Sequence, residues 1–486
     1  MSGRSLRIGL VPFDLPPFYE RGAKGGAKAS ILPGLAAELA ARTGRRVELV
    51  EPLAGRQNGV STPADVELCA SELRARGADC LLLDLFHWTR LALAVALLRE
   101  LDLPSALLAN TRGGWNGITA VTAISGSLRE TAQPRNLRRV ERFRDTQPQE
   151  VLDWLQGIAA YAALKRSRLL EWGGGYGADM PFSRGDPAAL EAALVREVLA
   201  EDQLVLVERA RAIQSGDPRR LERFVRWLEQ SGVRILPDGG RLTSASLGLQ
   251  VALYLAARDR LAEMEGEDIA GVAIKCHYEL SIAPVGCTAC FLPAFLPYPE
   301  DAEGPRAVVP TACEGDLYGL AGLAILHAVN PRVPPLFGDL AMIEREFVLL
   351  RNCGASSAHW AGGLDRLEVR PNLHGKSGGA LHYETPAEPE VTFTRLFRTP
   401  GGLALMLGEG EVVAETPATT FRDPWPHTRL RLPADPDLFF RAAPCNHGSL
   451  TRGSLARPLE ALARQAGLAV VRCDDDAALR SYLGNL

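Results

Sequence analysis

Two acidic residues, Glu314 and Asp316, stand in the stretch Thr311-Ala312-Cys313-Glu314-Gly315-Asp316-Leu317-Tyr318-Gly319, between the apolar runs 307–310 and 320–329. This pattern reads as a buried strand, a turn and a helix. Carboxylates at a helix mouth are stabilised by unpaired N–H groups and the helix dipole, so one acid there would be only an N-cap. A second acidic strand end, Cys276-His277-Tyr278-Glu279, places Glu279 37 residues before Asp316, about one βαβ step. Two carboxylates delivered to one sheet edge can hold a hard or borderline cation or work as an acid/base pair. The late Cys445-Asn446-His447-Gly448 adds an imidazole, the usual nitrogen ligand in a carboxylate-based transition-metal site, although a His before Gly is more often a turn residue.

Other polar positions are weaker candidates. Trp115 lies in the glycine-rich loop 110–117 after a strand end, where open α/β sheets bind ligands. Asn352 opens a turn, and His359 and His374 lie in the linker and turn region that enters the alternating β segment, from where they could reach a pocket between domains. His327, on the apolar segment after Asp316, reads as structural. The pair Cys287-x-x-Cys290 could suggest zinc, yet no second C-x-x-C or paired His follows at the required spacing, so buried free thiols explain it better.

The elements that must position these residues fall into three segments. Residues 1–167 predict strands at 6–13, 46–50, 80–86 and 105–109, with helices at 31–43, 63–76 and 89–100 and Thr62 as an N-cap. Continuous apolar strands separated by helices mark a parallel sheet covered on both faces, a doubly wound α/β domain. Its first strand is followed by Asp14-Leu15-Pro16-Pro17-Phe18, so the glycine fingerprint of dinucleotide binding is missing. Residues 168–345 predict a second α/β domain. Helix 149–165 leads into it, strand 168–172 runs into the glycine cluster 173–177, helices follow at 187–199, 204–213, 218–230 and 246–264, and then come the two acidic strand ends. The glycine cluster lets backbone approach something closely but lacks the Lys-Ser/Thr ending of a P-loop. Residues 346–486 change pattern to alternating runs at 390–397, 403–413 and 428–432, with Gly401-Gly402 as a hairpin signal, then a helix at 455–466 and a strand at 468–472. The fold expectation is two doubly wound α/β domains followed by a C-terminal antiparallel β-barrel domain.

Composition limits the partners. In 486 residues, 47% hydrophobic and 23% charged with a net charge of -4, there is no basic footprint for nucleic acid, and a small-molecule partner is expected. No apolar run reaches the roughly 18 residues of a membrane span. The N-terminus passes into its first strand without the apolar core of a signal peptide, and nine scattered cysteines fit reduced thiols, so a cytoplasmic protein is expected.

Taken together, Ile274-Lys275-Cys276-His277-Tyr278-Glu279, then Ala312-Cys313-Glu314-Gly315-Asp316-Leu317-Tyr318-Gly319, then Asn446-His447-Gly448 resembles the L-fucose and L-arabinose isomerase superfamily, most of all its fucose isomerase branch. The likeness covers the second and third segments, and the first agrees only in class. It implies that Glu279, Asp316 and His447 bind a divalent ion, usually manganese, and that Glu279 and Asp316 also transfer protons. It implies a homo-oligomer, commonly a hexamer or trimer, and a sugar or sugar-like substrate. The activity implied is aldose–ketose isomerisation, in which a proton moves between C1 and C2 through an enediolate. Glu279 is the better candidate for the main base, because Asp316 at a helix N-terminus stays ionised and suits a ligand role. Glu314 could replace Asp316 as ligand, and Glu314, Trp115, Asn352 and His359 are the candidates for substrate contact. A lyase or epimerase using the same intermediate, or a sugar-binding protein on this scaffold, are the alternatives.

Overall fold

Alternation inside a fully buried strand sets the first sheet. The computed structural model describes residues 5–15, 34–54, 56, 58–111, 117–130, 139–175, 177–344, 346–415 and 425–485. Five parallel strands, β1 (Leu6–Pro12), β2 (Val47–Val50), β3 (Cys80–Leu85), β4 (Ser105–Ala109) and β5 (Glu141–Arg144), lie in the order β2-β1-β3-β4-β5. Leu81, Leu83 and Leu85 of β3 join one apolar cluster, whereas Cys80 and Leu82 join another on the opposite face. Both faces are therefore buried, which is why the strand reads as a continuous apolar run. The helix Pro63–Ala75 starts at Thr62, which accepts a hydrogen bond from Asp65 N while the Asp65 carboxylate accepts one from Thr62 N at 2.8 Å. The expected helix 31–43 is seen as Leu35–Thr43, its first residues and Trp115 lying outside the described residues.

The next strands are β6 (Arg168–Trp172), β7 (Glu197–Glu201), β8 (Arg234–Ile235), β9 (Ile269–Ile274), β10 (Glu300–Asp301), β11 (Gly304–Pro305) and β12 (Thr311–Ala312). A second parallel sheet has the order β12-β9-β6-β7, so the chain reverses direction across the sheet at β6. Ligands in open α/β sheets bind beyond the strand C-termini at such a reversal. One expectation is corrected here. The stretch 187–199 is not one helix: Pro187–Ala193 is helical, and the residues from Glu197 form β7. The parallel ladder to β6 and the 2.7 Å Arg168–Glu197 ion pair override the local helical preference. Similarly, only Thr311–Ala312 of the expected strand before Glu314 pairs in the sheet.

Antiparallel structure follows: β13 (Leu336–Ile343), β14 (Val348–Arg351), β15 (Glu368–Pro371), β16 (Gly379–His382), β17 (Glu388–Thr399), β18 (Gly402–Val413), β19 (His427–Arg431), β20 (His447–Arg452) and β21 (Ala469–Arg472). Seven of these form a sheet in the order β17-β20-β13-β14-β19-β18-β21, antiparallel except for β18 with β21, and β17 pairs with β18 as well as with β20. The β17–β18 hairpin turns between Thr399 and Gly402, where the Gly401-Gly402 signal placed it. A last helix, Asp476–Leu483, capped by Asp475, was not anticipated. The chain divides into two compact units, one comprising 2–162 with 457–466, the other 163–456 with 467–486. The helix Ala456–Ala466 thus completes the first unit from far along the chain. There, Gly157 approaches Pro458 so closely that a Cβ would stand 2.2 Å from its carbonyl oxygen. No helix among the described residues is long and apolar enough to cross a membrane.

Candidate functional site

Strand ends of the second parallel sheet and two antiparallel strands converge on Glu314. Asp339 of β13 and His447 of β20 are direct register partners, so their side chains share a face, with Asp339 Oδ1 3.2 Å from His447 Nε2. Asn446 Nδ2 donates to that same Oδ1 at 2.6 Å. Glu314 follows β12 with a φ of 58°, a left-handed conformation that costs a non-glycine residue about 1–3 kcal/mol and is kept where surrounding structure enforces it. Here Gly315 N donates to Ile274 O at 3.0 Å and Gly177 N to Glu314 O at 3.1 Å. A Cβ on Gly177 would stand 2.5 Å from that oxygen, so the glycine cluster after β6 makes its close approach to this turn.

Asp316 caps the helix Leu317–Val329 as its position suggested, Oδ1 accepting from Gly319 N at 2.9 Å. Arg395 of β17 donates to both carboxylate oxygens, its Nη2 at 3.2 Å from Oδ1, and His447 Nδ1 lies 2.7 Å from Oδ2. Burial alone would raise this carboxyl, but Arg395 and His447 hold it well below the usual carboxylate range. With Nδ1 engaged, His447 presents Nε2 to Glu314 Oε2 at 3.1 Å. A buried carboxylate fixing one ring nitrogen while the other faces outward is how proteins orient a metal-ligating imidazole. Burial opposes charge on His447, and the hydrogen bonds with Asp316, Asp339 and Glu314 overcome it, raising its pKa well above the ordinary value. Burial raises the Glu314 carboxyl, only partly offset by His447.

Two groups of side chains have ligand atoms all within 4.8 Å of one another: Glu314, Asp339 and His447, and His277, Glu314 and Cys353. Glu314 and Asp339 of the first group and all three residues of the second line one cleft of about 450 Å³, and His447 lies buried behind the two carboxylates. Its wall includes Trp425, stacked on His374 with ring centroids 5.0 Å apart and covered by the Arg351 guanidinium at 4.6 Å. The Cys353 thiol is held well below its ordinary range by hydrogen bonds from Cys290 and Cys313, against burial, with His277 adding to the effect. Burial disfavours charge on His277, yet the Cys353 sulfur beside it, with Cys276 and Glu314, lifts its pKa to about 9.

A stretch of this chain is similar to a sugar isomerase. It shares 26% identity over 162 residues with the sulfoquinovose isomerase of Alkalicoccus urumqiensis, a match covering 32% of this chain and 33% of that protein. The similarity thus spans about a third of the relative's length. No protein-family model matches the chain. A solved transcription regulator like protein from Staphylococcus haemolyticus aligns with 67% of this chain and 92% of its own at 13% identity, with a TM-score of 0.18 that carries no argument about fold.

Of the residues expected from sequence, Asp316 and His447 are brought into contact and Glu314 joins them. Glu279 enters neither group and does not line the cleft. Its Oε1 accepts from Lys275 Nζ at 2.7 Å. Asn352 lines the cleft, its Oδ1 accepting from Ala355 N at 2.8 Å. His359 does not line it. Its Nε2 accepts from Arg452 Nη1 at 2.9 Å, and burial followed by that guanidinium lowers its pKa to about 4. Cys287 and Cys290 are buried free thiols outside both groups.

Asp339, His277, Cys353 and Arg395 were missed. His277 stood two residues before the acid chosen at that strand end, and Cys353 beside Asn352 in the same turn. Arg395, 2% exposed within the buried middle of β17, and Asp339 in an apolar run were the legible irregularities.

Proposed function

We propose that this chain is a metal-dependent ketol isomerase of a sugar or sugar-like carbonyl compound, centred on Glu314, Asp339 and His447. The observation that carries the reading is this triad, two carboxylates that line a cleft and, against them, a buried imidazole oriented by Asp316. Oxygen and imidazole donors suit manganese among the divalent ions, and the partial likeness to sulfoquinovose isomerase supports the reaction class. Such an ion, when bound, supplies Lewis-acid stabilisation to the two adjacent substrate oxygens that gain charge as the enediolate forms.

The chain's own groups do the rest. Asp316 keeps His447 in one tautomer and orientation. Glu314 is held in place by its turn. Asp339, the more exposed of the two cleft carboxylates at 25% of its side chain, moves the proton between C1 and C2 from a position set by Asn446. This reading moves proton transfer from Glu279 and Asp316 to Asp339, and the ligand role from Asp316 to Glu314. The reason is that Asp316 is wholly buried with both oxygens engaged, and Glu279 is paired with Lys275. The stacked Trp425 and His374 rings form an aromatic wall of the cleft. We also read the ring of pairings from β17 through β20, β13, β14 and β19 to β18 as a closed barrel, and the protein as a cytoplasmic homo-oligomer.

The test begins with metal analysis of the purified full chain. It continues with deuterium uptake at C1 or C2 from a panel of aldoses, ketoses and sulfoquinovose, with and without manganese. Metal-dependent exchange with a ketose–aldose product is expected. Exchange that survives complete chelation overturns the metal dependence, cleaved products indicate the lyase, and metal without exchange indicates a binding protein.

A further inference from the structure

Glu314 faces two histidines with its two oxygens. Oε2 lies 3.1 Å from His447 Nε2, and Oε1 lies 3.9 Å from His277 Nε2. The two imidazoles are supported alike: His447 Nδ1 is engaged by Asp316 at 2.7 Å and His277 Nδ1 by Ser281 Oγ at 2.8 Å, so each ring is turned with Nε2 toward the same carboxylate. Engagement of the far ring nitrogen is the arrangement that fixes a metal-binding tautomer. On the His277 side the third donor is the Cys353 sulfur, within 4.8 Å of the other two ligand atoms, and all three residues line the cleft.

We propose that Glu314 bridges two cation sites, and that the second, formed by His277, Glu314 and Cys353, takes a borderline-soft divalent cation, zinc foremost. The donor chemistry separates the two. Glu314, Asp339 and His447 offer oxygen and nitrogen, which suit manganese, whereas a thiolate favours zinc. Three protein ligands with the fourth position open to a cleft are the pattern of reactive rather than structural zinc sites. With zinc–nitrogen and zinc–oxygen lengths near 2.1 Å, tetrahedral ligand atoms stand about 3.4 Å apart. The observed 3.9 Å between His277 Nε2 and Glu314 Oε1 needs only a small inward shift. Two cations sharing one carboxylate would clamp neighbouring oxygens of a substrate from both sides. The inference rests on reading Glu314 as a ligand, as proposed above, and adds a site that reading does not require.

The test uses chelator-treated full-length protein titrated with cobalt(II) alone, followed by absorbance and metal counting. Two equivalents are expected, one of which brings a near-ultraviolet thiolate-to-cobalt charge-transfer band. Cys353→Ser should abolish the band and remove one equivalent, and His277→Gln, which keeps the thiol, should weaken that same equivalent by about tenfold or more. Asp339→Ala should remove the other equivalent and leave the band. A wild-type protein without the band, or a band that survives Cys353→Ser, overturns the second site. If the band behaves as expected but Asp339→Ala leaves the count at two, the manganese site of the proposed function fails instead. Circular dichroism of each variant establishes that it is folded.

Discussion

Asp316 Oδ2 lies 2.7 Å from His447 Nδ1, and neither side chain has any exposure to solvent. The same oxygen is shared with Arg395, so one carboxylate neutralises a buried guanidinium and aims an imidazole at Glu314 and Asp339.

That double duty makes Asp316→Asn informative. Loss of the orienting charge should weaken manganese binding by about 10–100-fold. Leaving Arg395 buried without its counter-charge should cost about 3–5 kcal/mol of stability. Calorimetric titration and urea unfolding read the two effects separately, and a variant with unchanged affinity would show that His447 needs no such support.

Asp339→Asn keeps an oxygen toward His447 but removes the group assigned to proton transfer. Its turnover should fall by about 10²–10⁴-fold. Glu279→Gln, outside both groups, should stay within about tenfold of wild type by the same measure. Steady-state isomerisation assays decide, and the reverse ranking would restore Glu279 as the base.

Gly177→Ala tests the turn rather than the chemistry. Its added methyl would meet the Glu314 carbonyl oxygen at 2.5 Å. A stability loss of about 1–3 kcal/mol is expected from overpacking, together with weaker metal binding because Glu314 must shift. Thermal unfolding and metal titration measure both. Wild-type affinity in this variant would mean that the turn does not set the ligand.

His359 gives a pH dependence. Its folded pKa, lowered to about 4, lies below the roughly 6.5 of an unfolded histidine, so between these values the unfolded chain binds the extra proton. Stability from this group is therefore full above about pH 6.5 and declines as pH falls toward 4. Urea midpoints across that window should fall less steeply for His359→Gln than for wild type, and parallel slopes would refute the assignment.

Strands β1 to β4 of the first sheet, the Thr62 cap, the Asp316 cap and the β17–β18 hairpin were legible because each depends on residues near in sequence: apolar runs, capping chemistry and turn glycines; the edge strand β5, with its charged Glu141-Arg142-Phe143-Arg144, was not. β7 was not, since Glu197–Glu201 acquires its extended form from pairing with β6. The site was half legible for the same reason. Glu314, Asp316 and His447 announce themselves by motif, whereas Asp339 becomes a neighbour of His447 only through strand register over a separation of 108 residues (447 minus 339). Local spacing pointed to Glu279, whose Oε1 accepts from Lys275 four residues earlier at 2.7 Å.

Residues 457–466, all but the first residue of the helix Ala456–Ala466, belong to the unit made otherwise of residues 2–162. During synthesis that unit must wait for its last piece. At about 5–20 residues per second, the roughly 300 residues after Ala162 take on the order of 15–60 s to emerge. Through that interval the face built around Gly157 lacks the helix that will cover it. A fragment stopped at Ala162 would keep that face bare permanently, and the first unit's order of assembly is therefore last residues last, whatever its place at the start of the chain.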